Sequence, residues 1–213
     1  MPFSSVPAWE RSKAVRRLLA VPLVMMTGLF SVWICEARGG GLQDNIYPVG
    51  KLKPVDSRLK VEVGQSAPDF SLPSLKGETV QLSQYRGKKN VVLSFVPAAW
   101  TPVCSDQWPG YNIARPMIEK HDAVLLGITV DNLPTLYAWT KEMGALWFPV
   151  LSDFWPHGSI AERYGILRSD GVSERALFVI DKQGILRYID VHDINTRPDL
   201  DALIGALADL PKP

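Results

Sequence analysis

Two apolar runs stand out near the middle of the chain, VVLSFV (91–96) and AVLLGITV (123–130). Both are rich in β-branched residues. A run that is apolar at nearly every position suits a strand covered on both faces, as in a parallel sheet. About 26 residues separate the runs, long enough for the helical crossover that parallel strands need. Pro109 and Pro116 fall within that crossover and are expected to kink or interrupt its helix. Downstream, LPTLYAWTKEMGA (133–145) reads as a second helix and FPVL (148–151) as a short strand. RALFVI (175–180), the turn DKQG and ILRYID (185–190) read as a β-hairpin. Leu200, Leu203, Ile204 and Leu207 repeat at helical spacing, with Pro198 and Asp199 suited to a first turn and Pro211 to an end. Upstream, DFSL (69–72) and TVQL (79–82) look like short strands around the turn PSLKGE, and RGKKN (86–90) is a polar turn.

The order is strand, helix, strand, helix, hairpin, helix. A parallel half followed by an antiparallel half is the thioredoxin arrangement, so the expected class is an α/β, thioredoxin-like fold with a mixed central sheet flanked by helices. The folded part is expected over 61–213. At about 150 residues, it buries roughly 70% of its unfolded surface. A fold of this kind hosts many activities, so function must come from the site.

The first 37 residues have a different pattern. Arg11, Lys13, Arg16 and Arg17 precede 18 residues without a charge (18–35), and EARGGG follows. That layout is an export signal, either cleaved after Ala37 or retained as a membrane anchor. In both cases the basic end stays in the cytoplasm, and residues from 40 onward are extracytoplasmic, secreted, periplasmic or tethered through 18–35. Residues 38–60 mix glycine, proline and charge without sustained periodicity and read as a spacer.

Composition narrows the chemistry. Lysine and arginine total 23 against 22 acidic residues, which gives no global reason to expect a nucleic-acid partner. Two cysteines, Cys35 and Cys104, cannot build a disulfide scaffold. Neither lies in a C-x-x-C pair, and His121, His157 and His192 are far apart, so no metal site and no cofactor are expected.

Attention therefore falls on PAAWTPVC (97–104), which joins the first apolar run to the crossover helix. A thiol in the first turn of a helix meets unpaired N–H groups and the positive end of the helix dipole, and both favour the reactive thiolate. A free thiol is roughly 3% ionised at neutral pH. Ionisation alone then gains about thirtyfold, or ~2 kcal/mol, and other groups must stabilise the transition state. Thr101 lies three residues before Cys104, the amides of Val103 and Cys104 are candidate donors, and Pro97 offers an apolar wall. Arg175 opens a strand whose end approaches this helix in a thioredoxin-like sheet. Each residue also has a plainer reading: Cys104 as a small buried hydrophobe, Thr101 as a helix cap, Arg175 as a surface charge.

Pro97, Thr101 and Cys104 together fit P-x-x-x-T-x-x-C, and the chain here resembles the peroxiredoxins (AhpC/TSA-like). VGQSAPDFSLPSLKGETVQLSQYRGKKNVVLSFVP is similar to the N-terminal half of that family, and SERALFVIDKQGILRY to the segment carrying its arginine, which falls on Arg175. FPVLSDFWPHGSIAERYGI (148–166) resembles the one-cysteine alkyl hydroperoxide reductase E class. The resemblance covers about residues 61–210. It implies a thiol-dependent peroxidase that reduces hydrogen peroxide or organic hydroperoxides through a sulfenic acid on Cys104, assisted by Thr101, Arg175 and Pro97. With no other cysteine in the folded part, an external reductant is expected, either a small thiol or a thioredoxin- or glutaredoxin-like protein. The resemblance also suggests a homodimer. Two features depart from it: Gln107 stands where the family often has glutamate, and Trp108-Pro109-Gly110 puts proline and glycine into the first helix. A thiol–disulfide exchange protein and a non-catalytic binding module are the competing readings. His157 is expected to serve packing or a subunit contact rather than catalysis, and Trp139 and Trp147 the core or an interface.

Overall fold

Every position of β3 (Asn90–Phe95) and of β6 (Arg175–Ile180) is buried, as two-sided burial of the apolar runs requires. In the computed structural model, which describes residues 40–211, these two strands form the centre of a five-stranded sheet. Its order is β5-β4-β3-β6-β7, with β4 at Ala123–Thr129, β5 at Val150–Ser152 and β7 at Leu186–His192. β3, β4 and β5 run parallel, while β6 and β7 are antiparallel to their neighbours. β1 (Ser71–Pro73) and β2 (Thr79–Gln81) pair separately as a hairpin. The mixed sheet with its flanking helices is the expected thioredoxin-like class.

Strand alternation splits the core into two halves. Val91, Leu93, Phe95, Ala176, Phe178 and Ile180 face one side, packed with Tyr164 and the β1–β2 hairpin. Val92, Val96, Leu177 and Val179 face the other, packed under α1 (Pro102–Glu119), α2 (Leu133–Met143) and α4 (Leu200–Ala208). Each of the valine, leucine, isoleucine and phenylalanine side chains contributes about 1.5–3 kcal/mol when fully buried. Trp139 lies in this second half, its Nε1 donating to Ser105 Oγ at 2.9 Å. Trp147 is half-buried beside it, donating to the Tyr111 carbonyl at 2.9 Å. Gly127 in β4 lets Trp108 press against the sheet: a Cβ there would lie 2.8 Å from the indole.

Three details differ from the sequence reading. α1 runs uninterrupted through Pro109 and Pro116. Each proline removes one backbone donor, but Trp108, Tyr111, Ala114 and Ile118 bury one face of the helix, and that packing outweighs the missing bonds. A short helix, α3 (Ser159–Tyr164), was not expected. The Asp153 carboxylate accepts the Ile160 and Ala161 amides at its start. Burial pushes the Asp153 carboxyl up, against the lowering effect of those bonds.

The third difference matters most for function. From residue 40 onward the run read as a spacer is bonded to the domain along much of its length. The Tyr47 amide donates to the Trp100 carbonyl at 2.7 Å, the Ile194 amide to Pro54 at 3.1 Å and the Lys60 amide to Tyr164 at 3.2 Å. The apolar segment 18–35 and Cys35 lie outside the described residues. Among those described, no helix is long and apolar enough to cross a membrane.

Candidate active site

β3 ends at Phe95 and α1 begins at Pro102. The turn between them is fixed from several directions. The Ala99 amide donates to Asp131 at 2.8 Å, the Ser173 hydroxyl to the Val96 carbonyl at 3.1 Å, and the Thr101 hydroxyl to Ala98 at 2.9 Å. Trp100 has φ 60°, a left-handed backbone that a bulky residue adopts only when its surroundings enforce it.

Cys104 follows in the first turn of α1 and has no exposed surface. Thr101 holds the N-cap position, yet its side chain makes no capping bond, because the hydroxyl is turned to Ala98. The plainer reading of Thr101 as a side-chain cap therefore fails: the hydroxyl proton is used in the turn, leaving its oxygen as an acceptor. The first helical bond runs from the Ser105 amide to Thr101 at 3.0 Å. The amides of Val103 and Cys104 precede it, free of intrahelical acceptors.

Arg175 reaches the same place from the start of β6. Nη2 lies 3.5 Å from Cys104 Sγ and 3.1 Å from the Ile194 carbonyl, and Nη1 donates to Gln107 Oε1. The side chain is 2% exposed. No carboxylate pairs with it among the described residues. Gln107 is in turn held by Tyr111, whose hydroxyl accepts from Nε2 at 2.9 Å, and by Ser94 at 3.3 Å. Burial pushes the Tyr111 phenol up, so it stays a neutral partner. Gln107, noted in the sequence only as a departure, is therefore a positioning residue for Arg175. Its spacing of three from Cys104 on one helix was the signal that could have found it. The Ile194 carbonyl carried no signal.

A cavity of about 700 Å³ opens beside the cluster, lined by Pro97, Thr101, Val103 and Arg175 among others. Pro97 is buried and forms part of its wall. Cys104 is not part of the lining, and its sulfur lies behind it with no exposed surface. Sequence reasoning missed the opposite wall, which Tyr47–Leu52 supply. Beyond it, the chain is pinned by a buried ion pair. Arg168 donates to Glu174 at 2.7 Å and to the Lys53 carbonyl at 3.1 Å, while Glu174 accepts the Asp56 amide at 2.6 Å. Lys53 and then Ser169 bond the Asp56 carboxylate and hold it well below the usual carboxylate range. His157 does not join the cluster; its Nε2 meets the Gly171 carbonyl at 2.7 Å.

Residues 63–189 match the AhpC/TSA family. Alkyl hydroperoxide reductase E of Mycobacterium tuberculosis is 37% identical over 151 residues, covering 70% of this chain and 98% of that protein. Peroxiredoxin-2 of Mus musculus is 35% identical over 148 residues, covering 66% and 74%. Among solved structures, the reduced 2-Cys peroxiredoxin of Plasmodium vivax is similar with a TM-score of 0.65 at 30% identity, covering 70% of this chain and 81% of that one.

Proposed function

Since the chain belongs to the AhpC/TSA family of peroxiredoxins and is a thiol peroxidase, we propose that Cys104 is its one working cysteine and that an external thiol restores it. The observation that carries Cys104 as the reacting thiol is the placement of Arg175. A buried guanidinium whose partners are an amide, a carbonyl and a sulfur has no formal counter-charge of its own. Such a charge is costly to bury alone, and an anionic sulfur or a developing oxyanion is its complement.

The thiolate of Cys104 attacks one peroxide oxygen. The S–O bond forms as the O–O bond breaks, the sulfur is oxidised by two electrons to the sulfenic acid, and the leaving hydroxide or alkoxide takes up a proton. Arg175 and the amides of Val103 and Cys104 stabilise the charge that moves onto oxygen. The Thr101 oxygen accepts from the peroxide O–H, and Pro97 keeps water from the sulfur. A first external thiol then condenses with the sulfenic acid, forming a mixed disulfide and releasing water. A second displaces Cys104 as thiolate and leaves as the external disulfide. The reductant is a small thiol or a thioredoxin- or glutaredoxin-like protein.

Cys104 is the only cysteine among the described residues, and Cys35 stands 69 positions earlier in the apolar segment. That supports the one-cysteine cycle and argues against thiol–disulfide exchange, which uses a neighbouring second thiol. The segment 18–35 supports an extracytoplasmic setting.

Turnover of the full-length chain with peroxide and excess external thiol tests the cycle, with sulfenic acid trapped chemically. Rapid trapping that disappears in Cys104→Ser, together with full turnover in Cys35→Ser, is the expected result. A Cys35→Ser chain that stalls after one peroxide equivalent overturns the one-cysteine cycle. Oxidation no faster than that of a free thiol overturns catalysis at Cys104.

A further inference from the structure

Arg175 Nη2 is shared between the Cys104 sulfur at 3.5 Å and the Ile194 carbonyl at 3.1 Å, and the same carbonyl accepts from Arg175 Nε at 3.3 Å. A guanidinium is planar and rigid, so the place of that carbonyl decides where Nη2 points. Ile194 lies beyond the last residue of β7, His192, where the sheet no longer holds it. We propose that Asn195 is a positioning residue for Arg175: by clasping Leu52 it fixes the Ile194 carbonyl, and with it the guanidinium that faces the thiol. The inference rests on the reading of Arg175 as the charge that serves Cys104, and adds to it the residue that sets its place.

Hydrogen bonds join Ile194 and Asn195 to the run 47–56. The Ile194 amide donates to the Pro54 carbonyl at 3.1 Å. Asn195 Oδ1 accepts from the Leu52 amide at 2.8 Å, and its Nδ2 donates to the Leu52 carbonyl at 2.9 Å. A side-chain amide carries both a donor and an acceptor, so Asn195 pairs with Leu52 as the backbone of a neighbouring strand would. Alanine offers neither group. Asp193 fixes the asparagine in turn, its Oδ1 accepting from the Asn195 amide at 2.9 Å and from Nδ2 at 2.6 Å.

The support that Asn195 grips is itself anchored at both ends. The Tyr47 amide donates to the Trp100 carbonyl at 2.7 Å, and the Asp56 amide to Glu174 at 2.6 Å. Ile194 is buried, so water offers its carbonyl and amide no ready substitute. On the far side of the guanidinium Gln107 accepts from Nη1. Arg175 is thus held from α1 and from the turn after β7, and loss of either hold lets Nη2 drift from the sulfur. Leu52, Pro54, Ile194 and Asn195 all lie outside residues 63–189, the stretch that matches the family.

The test measures second-order rate constants for Cys104 oxidation by hydrogen peroxide in the full-length parent chain, in Asn195→Ala, in Arg175→Gln and in the double variant. Asn195→Ala is expected to slow oxidation about tenfold, through misplacement of a reacting-site group. Where Arg175 is already glutamine, the same change is expected to slow it less than about twofold. Equal slowing in both backgrounds means that Asn195 supports the fold without serving Arg175, and overturns the proposal. So does an Asn195→Ala chain as fast as the parent. Leu52→Pro removes the amide that Asn195 accepts and leaves Asn195 in place; it carries the same expectations if Asn195→Ala fails to fold. Hydrogen exchange by NMR gives a second readout. Exchange at Arg175 Nε is expected to quicken in Asn195→Ala while the β3 amides keep their protection, and unchanged exchange at Nε overturns the link through Ile194. An Arg175→Gln chain as fast as the parent overturns the reading of Arg175 itself, an outcome distinct from equal slowing in both backgrounds.

Discussion

Arg175 Nη2 stands 3.5 Å from the sulfur of Cys104, although the two residues are 71 positions apart. The pairing follows from topology. β3 delivers the turn that starts α1, and β6 lies antiparallel beside β3, with Ala176 opposite Phe95. The first residue of β6 therefore sits level with the end of β3. Replacing Arg175 by glutamine removes the charge and keeps polarity. The rate of Cys104 oxidation is expected to fall about 10²–10³-fold, read by stopped-flow tryptophan fluorescence. Arg175→Lys keeps the charge without the planar fork and should fall between the two.

Gln107 holds that guanidinium from the side. Gln107→Leu leaves Arg175 Nη1 and the Tyr111 hydroxyl short of a partner, so a loss of about 1–3 kcal/mol in stability is expected, together with slower oxidation. Gln107→Glu retains an acceptor at the same reach and should recover most of the rate. Urea unfolding and peroxide kinetics on the same preparations separate the two effects. Equal rates in all three chains would remove Gln107 from the site.

Acid should loosen the run 47–56, a strap that borders the cavity and is tied to Glu174 and Ser169. Asp56 titrates below the usual carboxylate range because Lys53 and Ser169 bond its ionised form. Its contribution to stability is present above the unfolded value near 4 and is lost as pH falls through the lowered folded value. Asp153 has the opposite sign: burial raises its carboxyl, and its contribution is lost as pH rises through that raised value. Asp56→Asn isolates the first effect. The Ser169 amide resonance should shift with acid in the parent chain and not in the variant, and the denaturation midpoint of the variant should depend less on pH below about 4.

Gly127 is a packing constraint rather than a turn. A Cβ would stand 2.8 Å from the Trp108 ring and 3.0 Å from that of Phe148. Gly127→Ala is expected to cost about 1–3 kcal/mol through overpacking. A calorimetric melting temperature no lower than that of the parent chain would mean that the two rings yield easily.

The elements most legible in the sequence were those whose burial left an unambiguous pattern. β3, β4 and β6 are apolar at nearly every position because helices and the β1–β2 hairpin cover both sides, and the C-terminal helix repeats its leucines at a single period. Cys104, Thr101 and Pro97 stood out because they lie within eight residues and fit one family motif, and Arg175 because its segment resembles the one that carries the family's arginine; the antiparallel pairing of β6 with β3 puts its end of the sheet beside theirs. α3 was not readable, since six residues give barely two turns of periodicity and its start depends on Asp153, a residue outside it. The strap was missed for a related reason. Its hold on the domain uses backbone groups, Asn195 and a buried ion pair, none of which leaves a hydrophobic repeat. The two prolines of α1 pointed to a break that burial of Trp108 and Tyr111 overrides.

Glu174 and Arg175 are neighbours in sequence with different assignments. The first secures Lys53–Asp56 together with Arg168, and the second faces the thiol. Successive side chains of extended backbone point to opposite sides, so the loop entering β6 has no freedom of length. Gaining or losing one residue there exchanges the pair, presenting an acid to the sulfur and an unmatched base to the strap. Homologous chains with this architecture should tolerate many changes of residue in that loop and almost none of its length.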